Sequence, residues 1–227
     1  MITQTDVLPV LPITGAELTK IYCLYDCYKG DEFVRFFRQD GGNTILSLTD
    51  GNMVIYRDGG DSDELRDFVT LLSPACVYSD LETLTAIGLP PDEVISVYGR
   101  FADITGTSPC DDLSSAEIYK LLDVPGLSLP DYEYFAVDYC RRLNHGGASV
   151  FALRDKCAAV SFHTGDFAVM NGLASHAKGY GSTALTGILQ KNFGRTFYVC
   201  CRKELKPFYE RAGFKEKYHA GYWVKNR

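Results

Sequence analysis

Hydrophobic and polar residues change period several times along this chain, and each change marks an element. Residues 1–20 hold Pro9 and Pro12 and keep no period, so they read as irregular. The stretch 21–40 is aromatic and mixed, and the pattern leaves its state open. From Thr44 the pattern sharpens. Thr44-Ile-Leu-Ser-Leu-Thr49 and Met53-Val-Ile-Tyr56 flank Asp50-Gly51-Asn52, which predicts a β-hairpin. In 61–72 acidic residues lead, and Leu65, Phe68, Val69 and Leu72 fall at helical spacing. That predicts a helix with carboxylates at its positive end. Cys76-Val-Tyr78 reads as a short strand, and Asp80 as the cap of a short helix ending at Ile87.

Gly88-Leu-Pro-Pro-Asp-Glu93 is the strongest linker signal. Beyond it come a strand over 94–101, a helix capped by Ser114 or Ser115 and ending at Leu122, and a helix from Pro130 to His145-Gly146-Gly147. Three strands follow in quick succession (149–154, 158–163 and 167–174), joined by Asp155-Lys156 and Thr164-Gly165-Asp166. The remaining expectations are a helix over 179–193, a strand over 196–201, a short helix over 204–212 ended by Gly213, and a last strand region over 214–224. The antiparallel meander excludes a plain doubly wound sheet, so the fold class expected is α+β, with a central mixed, mostly antiparallel sheet flanked by helices. The expected domains are an N-terminal α/β region, 1–90, and a second domain, 91–227.

Composition narrows the function. The 227 residues exceed one domain of ~150 by about half. With 46% hydrophobic residues, 15 Tyr and 13 Phe, a disordered or collagen-like chain is excluded. The net charge of −6 argues against a nucleic-acid partner and fits a cationic small molecule or basic peptide better. No apolar run reaches the roughly 18 residues of a membrane span, and the first residues lack a leader's basic start, so no membrane partner and a cytoplasmic protein are expected. The 8 cysteines are scattered and read as reduced, mostly buried thiols. Cys23-x-x-x-Cys27 has no second ligand pair, so no metal site is expected.

The candidate chemistry sits in Ser175-His176-Ala177-Lys178-Gly179-Tyr180-Gly181-Ser182-Thr183-Ala184, between a predicted strand and helix. Two glycines one residue apart let the backbone curve tightly, so that successive N–H groups point at one anion, backed by the helix dipole. Ser182, Thr183 and Lys178 add donors and charge. This predicts a phosphate or diphosphate ligand. Gly179-x-Gly181-x-x-Ala184 matches the dinucleotide fingerprint in letters only: the next strand ends in Cys200-Cys201-Arg202, without the acidic residue that fingerprint needs. No Walker loop is present.

These residues resemble the GCN5-related N-acetyltransferase (GNAT) family. Its signature, Arg/Gln-x-x-Gly-x-Gly/Ala between strand and helix, is matched by His176-Ala-Lys-Gly179-Tyr-Gly181. Its later Tyr-Glu-Lys-x-Gly-Phe is matched by Tyr209-Glu210-Arg211-Ala212-Gly213-Phe214. The resemblance covers a little over half the chain, 94–227. It implies acetyl-CoA as co-substrate and direct acetyl transfer to a primary amine of a small molecule or peptide. His176, Ala177, Lys178, Gly179, Tyr180, Gly181, Ser182 and Thr183 would hold the diphosphate. Met170, Asn171, Gly172 and Leu173 would pair with the pantetheine arm beside a strand bulge, for which Gly172 is a suitable place. Tyr209 would be the general acid that protonates the departing thiolate. His176 stands where the family carries Arg or Gln. Strand 167–174 offers no ionisable base, which leaves His163 and Asp166 as candidates or a water chain in their stead. A non-catalytic acyl-CoA-binding module is the alternative. Residues 1–88 echo the later element order without the glycine-rich loop: a degenerate, cofactor-free half-copy that completes the acceptor cleft or forms a homodimer contact is one reading, extra packing the other.

Overall fold

The computed structural model describes Met1–Lys225. Its N-terminal elements are β1 (Ile2–Gln4), α1 (Ala16–Tyr28), β2 (Val34–Gln39), β3 (Ile45–Thr49), β4 (Asn52–Tyr56), α2 (Ser62–Leu72), β5 (Cys76–Asp80), α3 (Leu81–Ala86) and β6 (Glu93–Phe101). Then come α4 (Ser115–Leu122), α5 (Tyr132–Asn144), β7 (Ala148–Leu153), β8 (Cys157–Thr164), β9 (Phe167–Ser175), α6 (Tyr180–Lys191), β10 (Thr196–Cys201), α7 (Lys206–Arg211) and β11 (Lys215–Val224).

Local chemistry explains most of these boundaries. Asp50 and Gly51 both take positive φ (49° and 76°), the primed turn that suits the twist of the β3–β4 hairpin. The Asp61 carboxylate accepts from the amides of Asp63 and Glu64 and starts α2, and Asp80 accepts from Thr83 and starts α3. Ser114 and Glu117 form a reciprocal capping box at α4.

The chain forms two compact units. The first comprises Met1–Tyr98, Cys200–Arg211 and the chain from Lys215; the second comprises Gly99–Val199 and Ala212–Phe214. The division does not follow the Gly88–Glu93 linker: β6 continues the first unit past it, and β11, at the chain's end, pairs antiparallel with β5 from Ala220↔Asp80 to Val224↔Cys76.

In the first unit the strand order is β1-β2-β3-β4-β5-β11-β6, antiparallel from β1 to β4 and parallel at β4–β5. One core there gathers Phe37, Leu46, Met53, Ile55, Leu65, Val77 and Leu84; another packs α1 through Leu18 and Ile21 onto Val34, Phe36 and Ile45. In the second unit the order is β10-β9-β8-β7, antiparallel except for the parallel pair β9–β10. Ile118, Leu122, Phe135 and Tyr139 of α4 and α5 cover Ala152, Ala158, Val160 and Ala174. On α6 the Cα of Gly187 lies against the Phe151 ring, leaving no room for a Cβ.

The chain therefore uses one order twice: β2-β3-β4-α2-β5-α3-β6 and β7-β8-β9-α6-β10-α7-β11. Each run makes an antiparallel meander, then a helix crossover to a parallel strand.

The expectation for residues 1–20 fails at its ends, where β1 and the start of α1 lie, and only 5–15 is irregular; 21–40, which the pattern leaves open, holds the rest of α1 and β2. The helix kept no apolar period because its buried positions include Glu17 and Thr19 beside Leu18, Ile21 and Cys23. Of the cysteines, all free, Cys23, Cys27, Cys157 and Cys201 are buried, Cys76 and Cys200 partly so, but Cys110 and Cys140 are exposed.

Candidate functional site

The site in the second unit is built by what β9 does along its length. Its parallel ladder with β10 covers only Phe167–Val169 opposite Thr196–Tyr198. At that point the pairing with β8 slips. Val160 faces Gly172 and Ser161 faces Met170, so Asn171 has no partner. The bulge is thus at Asn171, one residue before the glycine expected to carry it. An unpaired residue bends its strand and re-aims the backbone after it. From Met170 onward β9 has no β10 partner, which leaves its main-chain groups on that edge for a ligand. Gly172 is buried; a Cβ there would meet methyl groups of Leu122 and Leu127 at 3.4 Å.

Following β9, the chain turns into α6 at Gly179, with φ +88° and ψ −23°, a left-handed conformation that glycine adopts freely. No side chain caps this helix, and its first turn carries no acidic residue. Among the described residues, the amides of Ala177, Lys178, Gly179, Gly181 and Ser182 find no protein acceptor. Uncapped amides at a helix start, together with the helix dipole, form an anion seat. Lys178 is exposed beside the turn, and Lys156 Nζ lies 5.1 Å from the Tyr180 ring centroid. Ser182 is exposed and Thr183 half-buried on the same turn. The residues present suit a diphosphate.

His176 does something else. Its Nε2 lies 2.9 Å from the Leu121 carbonyl and its amide donates to Lys156 O, so its ring ties the turn to α4. Its contribution is to hold the loop.

Tyr209 belongs to the first unit. It is 6% exposed on α7, and burial, with the neighbouring thiols of Cys201 and Cys200, pushes its phenol well above the ordinary range. It therefore keeps its proton at neutral pH. His163 lies opposite Ala168, at the end of β9 away from the glycine turn. Burial and the nearby Arg195 guanidinium push its pKa down, so the imidazole is neutral at pH 7. The structure does not bring it to the Met170–Leu173 edge. The Asp166 carbonyl accepts from Thr196 N at the same distant end.

One group of residues had no signal in the sequence. In the first unit Glu17 and Lys20 of α1, Tyr78 of β5, Tyr218 and Tyr222 of β11, and Cys200, at the end of β10 that belongs to this unit, converge. They come from four separated segments, one of them a helix that the apolar pattern did not reveal. Among the described residues, no cluster of His, Cys, Asp and Glu suits a metal ion, and no helix is long and apolar enough to cross a membrane.

No family model and no curated protein matches the chain. Solved structures do. A GNAT-family acetyltransferase from Colwellia psychrerythraea is similar with a TM-score of 0.53 and 10% identity, covering 99% of this chain and 100% of that one. A GCN5-related N-acetyltransferase from Kribbella flavida gives 0.56 and 11%, covering 82% and 88%. A tandem GNAT protein from the clavulanic acid biosynthesis pathway gives 0.50 and 11%, covering 84% and 82%. The twofold element order, the strand opening at a bulge and the glycine turn thus stand in a chain that has the fold of the GNAT acetyltransferases, in two halves.

Proposed function

We propose that the chain is an acetyl-CoA-dependent N-acetyltransferase that moves an acetyl group to a primary amine of a small molecule or peptide in the cytoplasm. The observation that carries this reading is the coincidence, on one strand, of the Asn171 bulge, the unpaired edge Met170–Leu173 and the uncapped start of α6. Acetyl-CoA brings the activated thioester. Toward it, the amides of Ala177, Lys178, Gly179, Gly181 and Ser182, with Lys178 and Lys156, hold the diphosphate. The Met170–Leu173 backbone takes up the pantetheine amides. Tyr209, protonated at neutral pH, has the proton a departing thiolate needs, and the proton that the attacking amine loses passes through water and restores the phenol; proton transfer of this kind contributes ~10²–10⁴-fold. Holding amine and thioester together supplies much of the rest.

A second reading, an acyl-CoA-binding module without transfer, is favoured by the lack of any ionisable side chain on β9. Free CoA thiol, followed with acetyl-CoA and a panel of amines, separates the two. Release that depends on an amine and falls in Tyr209→Phe supports the enzyme. Tight acetyl-CoA binding with no amine-dependent release supports the module.

A further inference from the structure

Two buried polar side chains that the transfer scheme does not use meet inside the second unit, one at the end of α6 and one on β8. Asn192, which follows α6, and Ser161 are both 0% exposed. Asn192 Nδ2 donates to Ser161 Oγ and to the Ile188 carbonyl, at 2.9 Å each. Ser161 pairs with Met170, on one side of the unpaired Asn171, and its neighbour Val160 pairs with Gly172, on the other. The Asn192 amide therefore holds β8 at the step where the register slips.

Helix capping does not call for an asparagine at this place. Asparagine suits a helix end when it takes the left-handed conformation itself, but Asn192 has φ −110° and ψ 24°, and Gly194 takes the positive φ, 84°. Folding does not call for it either. Its Oδ1 is buried with no hydrogen-bond partner among the described residues, a cost that an apolar residue would avoid. The strand pattern requires a slip without fixing its place. Without one extra residue in β9, Gly172 and Ala174 would turn away from Leu122 and the core beneath α4. That requirement is met equally by an extra residue at Met170, Asn171 or Gly172. In the first unit β3 also buries a serine, Ser47, but its Oγ has no partner there, and β3 pairs with β4 without a slip.

Resting on the acetyl-CoA reading above, we infer that Asn192 is a positioning residue: through Ser161 it holds the slip at Asn171, and so sets which main-chain groups of Met170–Leu173 are turned to the pantetheine arm. Fully buried, it touches no ligand itself.

The two parts of the cofactor separate this role from a merely structural one. ADP carries a diphosphate without a pantetheine arm, so it draws on the glycine turn and not on the β9 edge; acetyl-CoA draws on both. Asn192→Leu, which keeps the volume and loses the amide, should weaken acetyl-CoA binding roughly 10-fold in calorimetric titration and leave ADP binding unchanged. Ser161→Ala should give the same split, and the double variant should bind no more weakly than the weaker single one, since all three lose one contact. Retained ADP affinity shows that the second unit is folded. Cross-strand NOEs read the register directly: Val160 to Gly172 and Ser161 to Met170 in the unaltered protein, displaced in Asn192→Leu. Equal loss of both ligands, loss of neither, or NOEs untouched by the substitution overturns the inference. If the unaltered protein binds no acetyl-CoA, the transferase reading falls; displaced NOEs in Asn192→Leu then leave Asn192 as the residue that places the slip, and unchanged NOEs remove that too.

Discussion

The two strand-to-helix crossings of this protein, β4 to α2 and β9 to α6, occupy the same place in the repeated element order and are chemically opposite. The start of α2 is filled by the chain itself. Asp61 caps it, Asp63 and Glu64 sit in its first turn, Gln39 Nε2 donates to Asp61 O and Glu64 Oε2 at 2.8 Å each, and the Ile2 amide donates to Glu64 Oε1. The start of α6 has no cap and no acid. The strands differ in the same sense. β3 and β4 pair without a slip, and beyond the last β4–β5 pair Ser79 Oγ donates to the Ile55 carbonyl at 2.8 Å, closing the gap. In the second half the slip at Asn171 leaves that edge open. An anion seat on this fold therefore needs more than the crossover itself: the helix start must be left without its own carboxylates and the strand edge without its own hydroxyl.

That contrast can be attacked directly. Giving α6 the chemistry of α2, with Ser182→Glu standing where Glu64 stands, should cost the largest effect: acetyl-CoA binding weakened by about 100-fold, as a like charge is placed on the diphosphate seat. Calorimetric titration measures it, and retained affinity would break the comparison. Tyr209→Phe should come next, lowering kcat by roughly 10²-fold with acetyl-CoA affinity unchanged, read from steady-state rates and the same titration. Asp61→Ala, which uncaps α2, should cost about 1 kcal/mol of stability in a urea melt. It should leave acetyl-CoA affinity untouched, because Asp63, Glu64 and Gln39 still fill that end.

The smallest effect concerns His163. Its folded pKa lies below the ordinary 6.5, so the unfolded chain binds its proton more readily. Stability from the neutral ring is present above pH 6.5 and drains away as the pH falls toward the folded value. His163→Gln should flatten that part of the stability-versus-pH curve. The pH profile of kcat/KM should not move.

What the residue pattern made legible was whatever local chemistry decides. Asp50-Gly51 dictates its turn, Asp61 and Asp80 their helix starts, and Gly179-x-Gly181 an open amide turn, because each acts on its own few residues. The bulge was expected at Gly172 and formed at Asn171, since a one-residue slip depends on how β8 pairs and not on β9 alone. Helix α1 escaped notice because Glu17 and Lys20 occupy inward positions that an apolar pattern treats as outward. The place of the last strand is likewise not local: only pairing across the chain, β11 on β5, shows it. His176 matched a motif position, yet its ring turns to Leu121, a contact set by α4, which lies far away in sequence.

The most direct measurement is a crystal structure of the protein with acetyl-CoA. The account predicts the diphosphate on the amides between Ala177 and Ser182, with the pantetheine arm along Met170–Leu173. A diphosphate at the start of α2, or at neither helix start, would contradict it.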